Sequence, residues 1–384
     1  MRSGVPGFNG ERLRQAREAI GLSQTSLADL LGVSKQAVSQ YEKGADSPGT
    51  DVFDRLRQIL QHEAHFFLRR PVASFDKGTC FYRSMAAATK GARAKAEVWQ
   101  LWVRELVLYL SEYVELPKVT FPLFDDLPQD PNRLGMERVE SLAGEARQVW
   151  RLGDGPIPNL TYVAEANGAI IVRHVLDADT LDALSLWMVP EQIPLVVLNA
   201  DKRVAVRSRL DLAHELGHMI LHRHLPEEYL RRSELFRLVE DQAFRFGAAL
   251  LLPAHSFLED LYSVSLDGLR ALKSKWKVSI AMMIERLKHL EIISDEQHRR
   301  LRINYSTRQW NREEPLDREI EVEQPTFLIG AFRLLVDERI QTPDQISVNS
   351  GFSSGWVQRL LNVSLGTVSP NPPALKVVEL KKQA

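Results

Sequence analysis

The fold of this chain is decided by the stretch Leu212-Ala-His-Glu-Leu-Gly-His-Met-Ile-Leu-His222. Its apolar residues have helical spacing, and residues four apart on a helix share one face. The imidazoles of His214 and His218 can therefore converge on one metal ion. Glu215 lies beside them and can accept a proton from a water molecule that the metal activates. We predict a hydrolytic metal site on a helix.

A metal site of this kind needs a third protein ligand besides the two histidines. A catalytic zinc usually takes three protein ligands and leaves one position open. Cys80 is the single cysteine, so the third ligand must be His, Asp or Glu. We favour Glu240, because an antiparallel helix that follows the first could return it to the two histidines. Asp241 and His222 are the alternatives, although three ligands along one straight helix would spread over about 12 Å. Zinc is the default ion for two imidazoles and a carboxylate, and Mn2+ or Fe2+ could use the same ligands.

A second informative stretch, nearer the start, reads Leu22-Ser-Gln-Thr-Ser-Leu-Ala-Asp-Leu-Leu-Gly-Val-Ser-Lys-Gln-Ala-Val-Ser-Gln-Tyr-Glu-Lys-Gly44. Ser23 can cap one helix and Ser34 can cap the next. Gly32 stands where the turn between them needs a residue that tolerates positive φ. The stretch therefore predicts two short helices joined by a tight turn.

The second of these helices has a polar outer face that suits the major groove of DNA. Gln can pair bidentately with adenine, and Lys can reach the acceptors of guanine. The N-terminal end of such a helix meets base edges, while neighbouring residues contact phosphates. The residues that we expect to contact DNA are Gln24, Ser34, Lys35, Gln36, Ser39, Gln40 and Lys43.

The rest of the sequence predicts a multidomain, mainly helical protein. Apolar residues recur at helical spacing over residues 9–62, 83–113, 136–150, 208–223, 234–252, 265–273, 278–290 and 326–363. Strand-like segments around 160–173, 184–189 and 194–199 predict a small α+β domain around the histidines. Residues 118–134, which contain three prolines, are predicted to form a linker, and the polar residues 297–325 to be irregular.

Charge is distributed unevenly along the 384 residues. The formal net charge of −1 combines +6 over residues 1–104 with −7 over the remainder. A basic first part suits a polyanion-binding module joined to another domain. No stretch approaches the roughly 20 apolar residues that span a bilayer, and residues 1–7 lack the apolar core of a signal peptide. We therefore expect a cytoplasmic protein without a membrane partner.

Two family resemblances follow from these segments. Residues 22–44 and their flanks resemble the phage-repressor-like (Xre or Cro type) helix-turn-helix family over about 55 residues, including Gln24 and Tyr41-Glu-Lys-Gly44. Nearly the whole chain resembles the ImmA/IrrE family of metallopeptidases, in the version fused to an Xre-type domain. The segments that carry this second resemblance are Phe66-Phe67, Phe81-Tyr-Arg-Ser84, Pro156-Ile-Pro-Asn159, Val197-Leu-Asn199, Ala213-His-Glu-Leu-Gly-His218, Ala249-Leu-Leu-Leu-Pro253, Leu272-Lys-Ser-Lys-Trp-Lys-Val-Ser-Ile280 and Glu313-Glu-Pro315.

The second resemblance implies a zincin-like domain and assigns roles to its residues. It makes His214, His218 and Glu240 the metal ligands and Glu215 the general base. Members of the family typically cleave a repressor protein and so activate genes in stress responses, mobile elements or toxin–antitoxin systems. This chain departs from the family at Phe244, where Asn or Asp is common, and at Phe246-Gly247, where the family often has Phe-Ala.

The resulting hypothesis is a DNA-binding regulator with a zinc-dependent endopeptidase domain that hydrolyses a repressor or antitoxin-like protein. The alternative is a non-catalytic repressor or antitoxin whose peptidase-like domain senses a signal or binds a partner. A homodimer is expected, since such repressors match two-fold symmetric operators. Trp99 and Trp102 belong either to its interface or to the core. The expected domains are residues 1–70 (helix-turn-helix), 71–134 (helical connector and linker), 135–295 (metallopeptidase) and 296–384 (C-terminal helical region).

Overall fold

The structure is a computed structural model that describes residues 4–72, 89–175, 182–200, 204–230, 232–362 and 376–377. Cys80 and the segment Phe81-Tyr-Arg-Ser84 lie outside these residues. The described part is mainly helical, with a three-stranded sheet and a two-stranded ribbon, which confirms the predicted fold class. None of its helices is both long and apolar enough to cross a bilayer.

Short helices open the described chain. They are α1 (Gly10–Ala19), α2 (Gln24–Leu31), α3 (Lys35–Glu42), α4 (Thr50–Leu60) and α5 (Ala64–Leu68). Ser23 caps α2 by accepting from the N–H of Ser26, and Ser34 caps α3 by accepting from the N–H of Ala37. Gly32 between them is left-handed, with φ of 65°. The predicted caps and turn are confirmed.

The next helix, α6 (Lys90–Ser111), packs against this helix-turn-helix unit. Trp102 is fully buried and Trp99 is almost so. Their indole nitrogens donate to Gln15 Oε1 and to the carbonyl oxygen of Ala19, both on α1. The two tryptophans are therefore core residues of this contact rather than an exposed interface.

Residues 118–134, predicted to be a linker, pack against the domain that follows. Phe121 is buried, and its ring contacts those of Trp150 and Trp187. The carbonyl oxygen of Thr120 accepts from the indole N–H of Trp150. The segment continues through the 3-10 helix Pro131–Arg133 into α7 (Met136–Val149). Phe121 and Leu134 of this segment thus belong to the core of the following domain, which the linker prediction did not anticipate.

Residues 160–166 form a helix, α8 (Leu160–Ala166), where the sequence predicts a strand. The β-branched and aromatic residues of this segment favour a strand, but Asn159 caps a helix by accepting from the N–H of Tyr162. Leu160 and Ala164 are fully buried and one helical turn apart. The strand prediction is wrong because the cap and the buried helical face outweigh the residue preferences.

Three strands follow, named β2 (Ile170–His174), β3 (Ala183–Met188) and β4 (Ile193–Asn199) after the short β1 (Val114–Glu115). They form one sheet in the order β2-β4-β3, with β2 parallel and β3 antiparallel to β4. Ile170 and Val172 belong to a core shared with the helix-turn-helix unit, whereas Ile171 and Val196 belong to a core shared with α7. The sheet is buried on both faces, which explains its nearly continuous apolar strands.

The helices after the sheet contain the two longest of this domain. They are α9 (Ala205–Leu221), α10 (Glu227–Leu230), α11 (Ser233–Leu251), α12 (Ala254–Glu259), α13 (Leu266–Trp276) and α14 (Ile280–His289). Helices α9 and α11 lie against each other. A Cβ at Gly217 would lie 2.9 Å from the carbonyl oxygen of Ala243, and one at Gly247 would lie 3.0 Å from the carbonyl carbon of Ala213. Glycine at both positions therefore permits the close approach of the two backbones.

Residues 295–307 form a further helix, α15 (Asp295–Thr307), where the sequence predicts irregular structure. Ser294 and Gln297 make a capping box at its start. Leu301 and Tyr305, one turn apart, are its buried residues. The prediction is wrong for residues 297–307, because two buried residues on an otherwise polar helix give a weak periodic signal, and it is confirmed for residues 308–325, which form neither helix nor strand.

A buried ion cluster anchors the chain after α15. Lys273, which is fully buried, donates from Nζ to Glu314 at 2.7 Å and to Asp317 at 2.5 Å. Glu314 also accepts from the backbone N–H groups of Ile280 and Ala281 at the start of α14. The Glu313-Glu-Pro315 turn is therefore clamped to the domain by long-range contacts.

The last described helices return to the N-terminal unit. They are α16 (Phe327–Asp337), α17 (Pro343–Ser350) and α18 (Ser354–Leu361), and β5 (Lys376–Val377) pairs with β1. The indole of Trp356 donates to the carbonyl oxygen of Leu60, and the Ser353 hydroxyl donates to that of Gln61. These helices share one core with the helix-turn-helix unit and α6. The predicted division into four domains remains a proposal.

Candidate metal centre and helix-turn-helix face

Helix α9 carries His214 and His218 on one face, as their four-residue spacing requires. Their Nε2 atoms are 2.9 Å apart. The His218 side chain is 3% exposed, whereas that of His214 is 21% exposed. The pair therefore opens to solvent on the His214 side.

Helix α11 brings Glu240 to the same point. Its Oε2 lies 3.5 Å from His214 Nε2, and its Oε1 lies 3.4 Å from His218 Nε2. One ligand atom from each residue lies within 4.8 Å of the others. Asp241 is exposed and His222 is buried, and neither belongs to this group. The structure brings together the three residues predicted as ligands; their role in binding stays a prediction.

The crossing of α9 and α11 positions these side chains. Gly217 precedes His218 directly, and Gly247 faces the backbone of His214. A Cβ at position 247 would lie 3.1 Å from the backbone nitrogen of His214. The family resemblance leads us to expect alanine at this position, and glycine here allows a closer crossing.

The close contact between the histidines and Glu240 shifts the pKa values of Glu240 and His214. Burial by itself would raise the pKa of the Glu240 carboxyl, but the adjoining imidazoles of His214 and His218 hold that pKa well below its usual range. Burial by itself would lower the pKa of His214, yet the contact with Glu240 and the nearby Glu215 raises it. The carboxylate is therefore ionised at neutral pH and available as a ligand.

The donor set fits a zinc ion. Two imidazole nitrogens and one carboxylate are the ligands of a common type of catalytic zinc site. Ligand atoms about 2.0–2.1 Å from a tetrahedral zinc lie about 3.3 Å from each other. The observed separations of 2.9, 3.4 and 3.5 Å match this spacing after small side-chain shifts. Manganese or iron could use the same atoms.

Glu215 is held by a residue that the sequence analysis missed. Glu215 is 6% exposed, and its Oε2 accepts a 2.5 Å hydrogen bond from Ser185 Oγ on β3. Ser185 is itself fully buried. Its signal is a hydroxyl within the apolar strand Ala183-Leu-Ser-Leu-Trp-Met188, because a buried hydroxyl requires a partner.

Helix α3 has one buried and one exposed face. Val38 and Tyr41 lie in the core. The Ser34 hydroxyl is used by the helix cap, and Ser39 is half-buried. The predicted contact residues that are exposed are Ser34, Lys35, Gln36, Gln40 and Lys43.

Gln24 is oriented by a buried ion pair. Its Nε2 donates to Glu42 Oε2 at 2.6 Å, and Arg17 donates to both oxygens of the same carboxylate at 2.5 and 3.2 Å. The side chains of Arg17 and Glu42 are nearly buried. Gln24 has a second amide proton, which is the group that it can offer to a phosphate.

Comparison with known families matches two segments of the chain. Residues 13–62 match the helix-turn-helix family model, and residues 164–288 match the model of the IrrE N-terminal-like domain, a peptidase family. The second segment contains His214, Glu215, His218 and Glu240, and therefore every residue of the candidate metal centre. The chain thus carries an Xre-like helix-turn-helix domain and an IrrE N-terminal-like domain, which confirms the resemblance predicted from the sequence.

Curated relatives align over short segments. A provisionally named HTH-type transcriptional regulatory protein of Pyrococcus furiosus is 51% identical over 53 residues, which is 14% of this chain and 17% of that protein. An uncharacterized HTH-type regulator of Bacillus subtilis, derived from the SPbeta prophage, is 37% identical over 67 residues, or 17% of this chain and 62% of that protein. An uncharacterized HTH-type regulator of Sinorhizobium fredii is 38% identical over 63 residues, or 16% and 44%. The chain therefore spans less than two thirds of the length of each.

Proposed function

We propose that this chain is a DNA-binding transcriptional regulator with a zinc-dependent endopeptidase domain. The observation that carries the proposal is the convergence of His214, His218 and Glu240 beside the carboxylate of Glu215. The exposed polar face of α3 in the same chain supports the DNA-binding part. The match to a peptidase family supports the catalytic part.

The site residues divide the work of peptide hydrolysis. Zinc held by His214, His218 and Glu240 would polarise the scissile carbonyl and make water acidic enough to lose a proton near neutral pH. Glu215 accepts that proton and later donates it to the leaving amine. The Ser185 hydroxyl holds one carboxylate oxygen of Glu215, so we assign the proton transfer to the other oxygen, Oε1.

We further propose that the substrate is a repressor or antitoxin-like protein and that the chain acts as a homodimer. Two copies of α3 would then read the two halves of a symmetric operator. The HTH-type names of the relatives support a regulatory setting. Cleavage of a repressor would release genes that are otherwise silent.

The metal site can be tested by elemental analysis of the purified full-length chain. We expect about one zinc per chain, following the three-ligand rule, and its loss in Glu240→Ala. Asp241→Ala is the matched control, because Asp241 is the adjacent exposed carboxylate outside the group. Absence of metal from the wild-type protein after zinc loading would refute the peptidase mechanism.

Catalysis is tested separately from metal binding with Glu215→Gln. This variant should retain zinc and DNA binding but lose the release of a reporter gene under the chain's own promoter. The non-catalytic alternative predicts an unchanged reporter response, because a sensor or scaffold does not need the base. Glu215 is buried and bonded to Ser185, which would also suit a structural role, so the non-catalytic alternative needs this test.

DNA binding can be measured by fluorescence polarisation with promoter DNA. Gln36→Ala should weaken specific binding by about 1–3 kcal/mol, the value of one good base contact. Gln58→Ala is the control, since Gln58 is exposed on α4. Equal effects of both substitutions would contradict base contact by α3.

A further inference from the structure

A chain of hydrogen bonds runs from the inner ring nitrogen of His218 into the interior of the domain. His218 Nδ1 lies 3.1 Å from His222 Nδ1, and His222 Nε2 lies 3.1 Å from Gln242 Oε1. The Gln242 amide nitrogen donates to the carbonyl oxygens of Pro131 and Leu134, both at 2.8 Å. The three residues are at most 2% exposed.

The two backbone carbonyls decide which way the Gln242 amide faces. Because a carbonyl oxygen only accepts hydrogen bonds, the amide nitrogen must face both of them. A flipped amide would set its oxygen against two other oxygens, and buried acceptors without donors are costly. Gln242 Oε1 therefore faces His222, and it can only accept.

The direction of the hydrogen bond between His222 and Gln242 determines the direction of the next bond, between His222 and His218. Since Oε1 only accepts, His222 must carry its proton on Nε2. His222 is 1% exposed, and a charged ring there would lose its water, so the ring is neutral and its Nδ1 is unprotonated. His222 Nδ1 then accepts, and His218 must donate from its own Nδ1. The Nε2 of His218 is left with a lone pair, and it is the atom that faces His214 and Glu240.

We propose that Gln242 and His222 are positioning residues that fix His218 in the one neutral form whose Nε2 lone pair points at the metal site. The inference rests on the proposed metal site and gives His222 a role other than that of a ligand. Metal-binding histidines commonly donate their second ring N–H to a carbonyl or carboxylate, which can only accept. A histidine in that place could either donate or accept, so the anchor at Gln242 makes the direction unique.

Nitrogen-15 NMR of the full-length, metal-free protein labelled at histidine tests the pattern without any substitution. We expect His218 to be protonated on Nδ1 and unprotonated on Nε2, and His222 to show the reverse. A His218 ring that carries a proton on Nε2, or a His222 ring that carries none on Nε2, would overturn the inference. This measurement decides the question even where a variant fails to fold.

The second test is Gln242→Met, which keeps the side-chain bulk and removes both hydrogen-bonding groups. We expect His218 to populate both neutral forms and the Kd for Zn2+ to rise about 10- to 100-fold, as for other residues that orient metal ligands. Competition with a chromophoric chelator measures that Kd. Gln148→Met is the matched control: Gln148 is exposed on α7 and outside the hydrogen-bond chain, so the Kd should not change.

The outcomes separate this inference from the proposed function. If the wild-type chain binds no zinc, the proposed metal site fails, and the protonation pattern is still decided by NMR. If the wild-type chain binds zinc and Gln242→Met binds it equally tightly with an unchanged His218 ring, the positioning role is refuted and the metal site stands.

Discussion

At the scale of single residues, the contact between Ser185 and Glu215 joins the sheet to the proposed catalytic base. Ser185 is fully buried on β3, and its hydroxyl donates to a carboxylate that is itself only 6% exposed. A buried charge needs hydrogen bonds to replace lost water. Ser185 therefore supports both the stability of the domain and the orientation of Glu215.

Replacing this serine should cost stability. We expect Ser185→Ala to lower the free energy of unfolding by about 1–3 kcal/mol, because the buried carboxylate loses its donor. Urea denaturation followed by circular dichroism measures the change. Ser185→Thr keeps the hydroxyl and fits a strand, so it should lose much less. Equal stability of Ser185→Ala and the wild-type chain would argue against the bond.

At the scale of secondary-structure elements, the crossing of α9 and α11 decides whether His214, His218 and Glu240 can meet. The two helices touch where Gly217 faces Ala243 and where Gly247 faces Ala213. A Cβ at Gly217 would lie 2.9 Å from a backbone oxygen, which cannot move aside like a flexible side chain. The small residues at this crossing therefore help to position the candidate metal site.

Gly217→Ala should push the helices apart. The substitution gains about 1 kcal/mol of helix propensity, but we expect overpacking to cost about 1–3 kcal/mol and to weaken zinc binding as the ligands separate. Thermal unfolding and chelator competition measure the two effects. Gly144→Ala is the control, because Gly144 lies on exposed α7 surface with no atom within 4 Å of its Cβ position. It should stabilise the chain, and a similar gain in Gly217→Ala would contradict the tight crossing.

At the scale of the whole molecule, the helix-turn-helix unit shares its core with α6 and the C-terminal helices. Arg12 on α1 and Glu105 on α6 form a 2.8 Å ion pair, with side chains 2% and 3% exposed. The imidazole of His62 stacks at 3.7 Å on Phe66 and at 5.1 Å on Trp356. The DNA-binding unit is thus attached to the rest of the chain by packed and charged contacts.

Glu105→Gln should loosen this attachment. We expect a loss of about 3 kcal/mol in the free energy of unfolding, because the buried Arg12 charge loses its partner. Limited proteolysis should then release the N-terminal unit sooner. Glu63→Gln is the control, since Glu63 pairs with Arg57 on the surface and such pairs are worth at most about 1 kcal/mol. Equal effects of the two substitutions would show that the buried pair is not an anchor.

The sequence by itself determined the features that depend on neighbours within one or two helical turns. The His214–His218 spacing, the caps at Ser23 and Ser34 and the turn at Gly32 all follow from helix geometry. These features were predictable because the interacting groups are close along the chain. The same local rules failed at residues 160–166, because the helix cap at Asn159 outweighs the strand preferences of the residues that follow it.

Only the tertiary structure decided what meets across long separations. It selected Glu240 rather than Asp241 or His222 to join the two histidines, because the crossing of α9 and α11 sets which side chain of α11 faces them. It placed Ser185 on Glu215, and it packed Phe121 and Leu134 of the predicted linker 118–134 into the core. The physical reason is that such contacts depend on how whole elements pack, and no periodicity within a single element records the partner against which it will be buried.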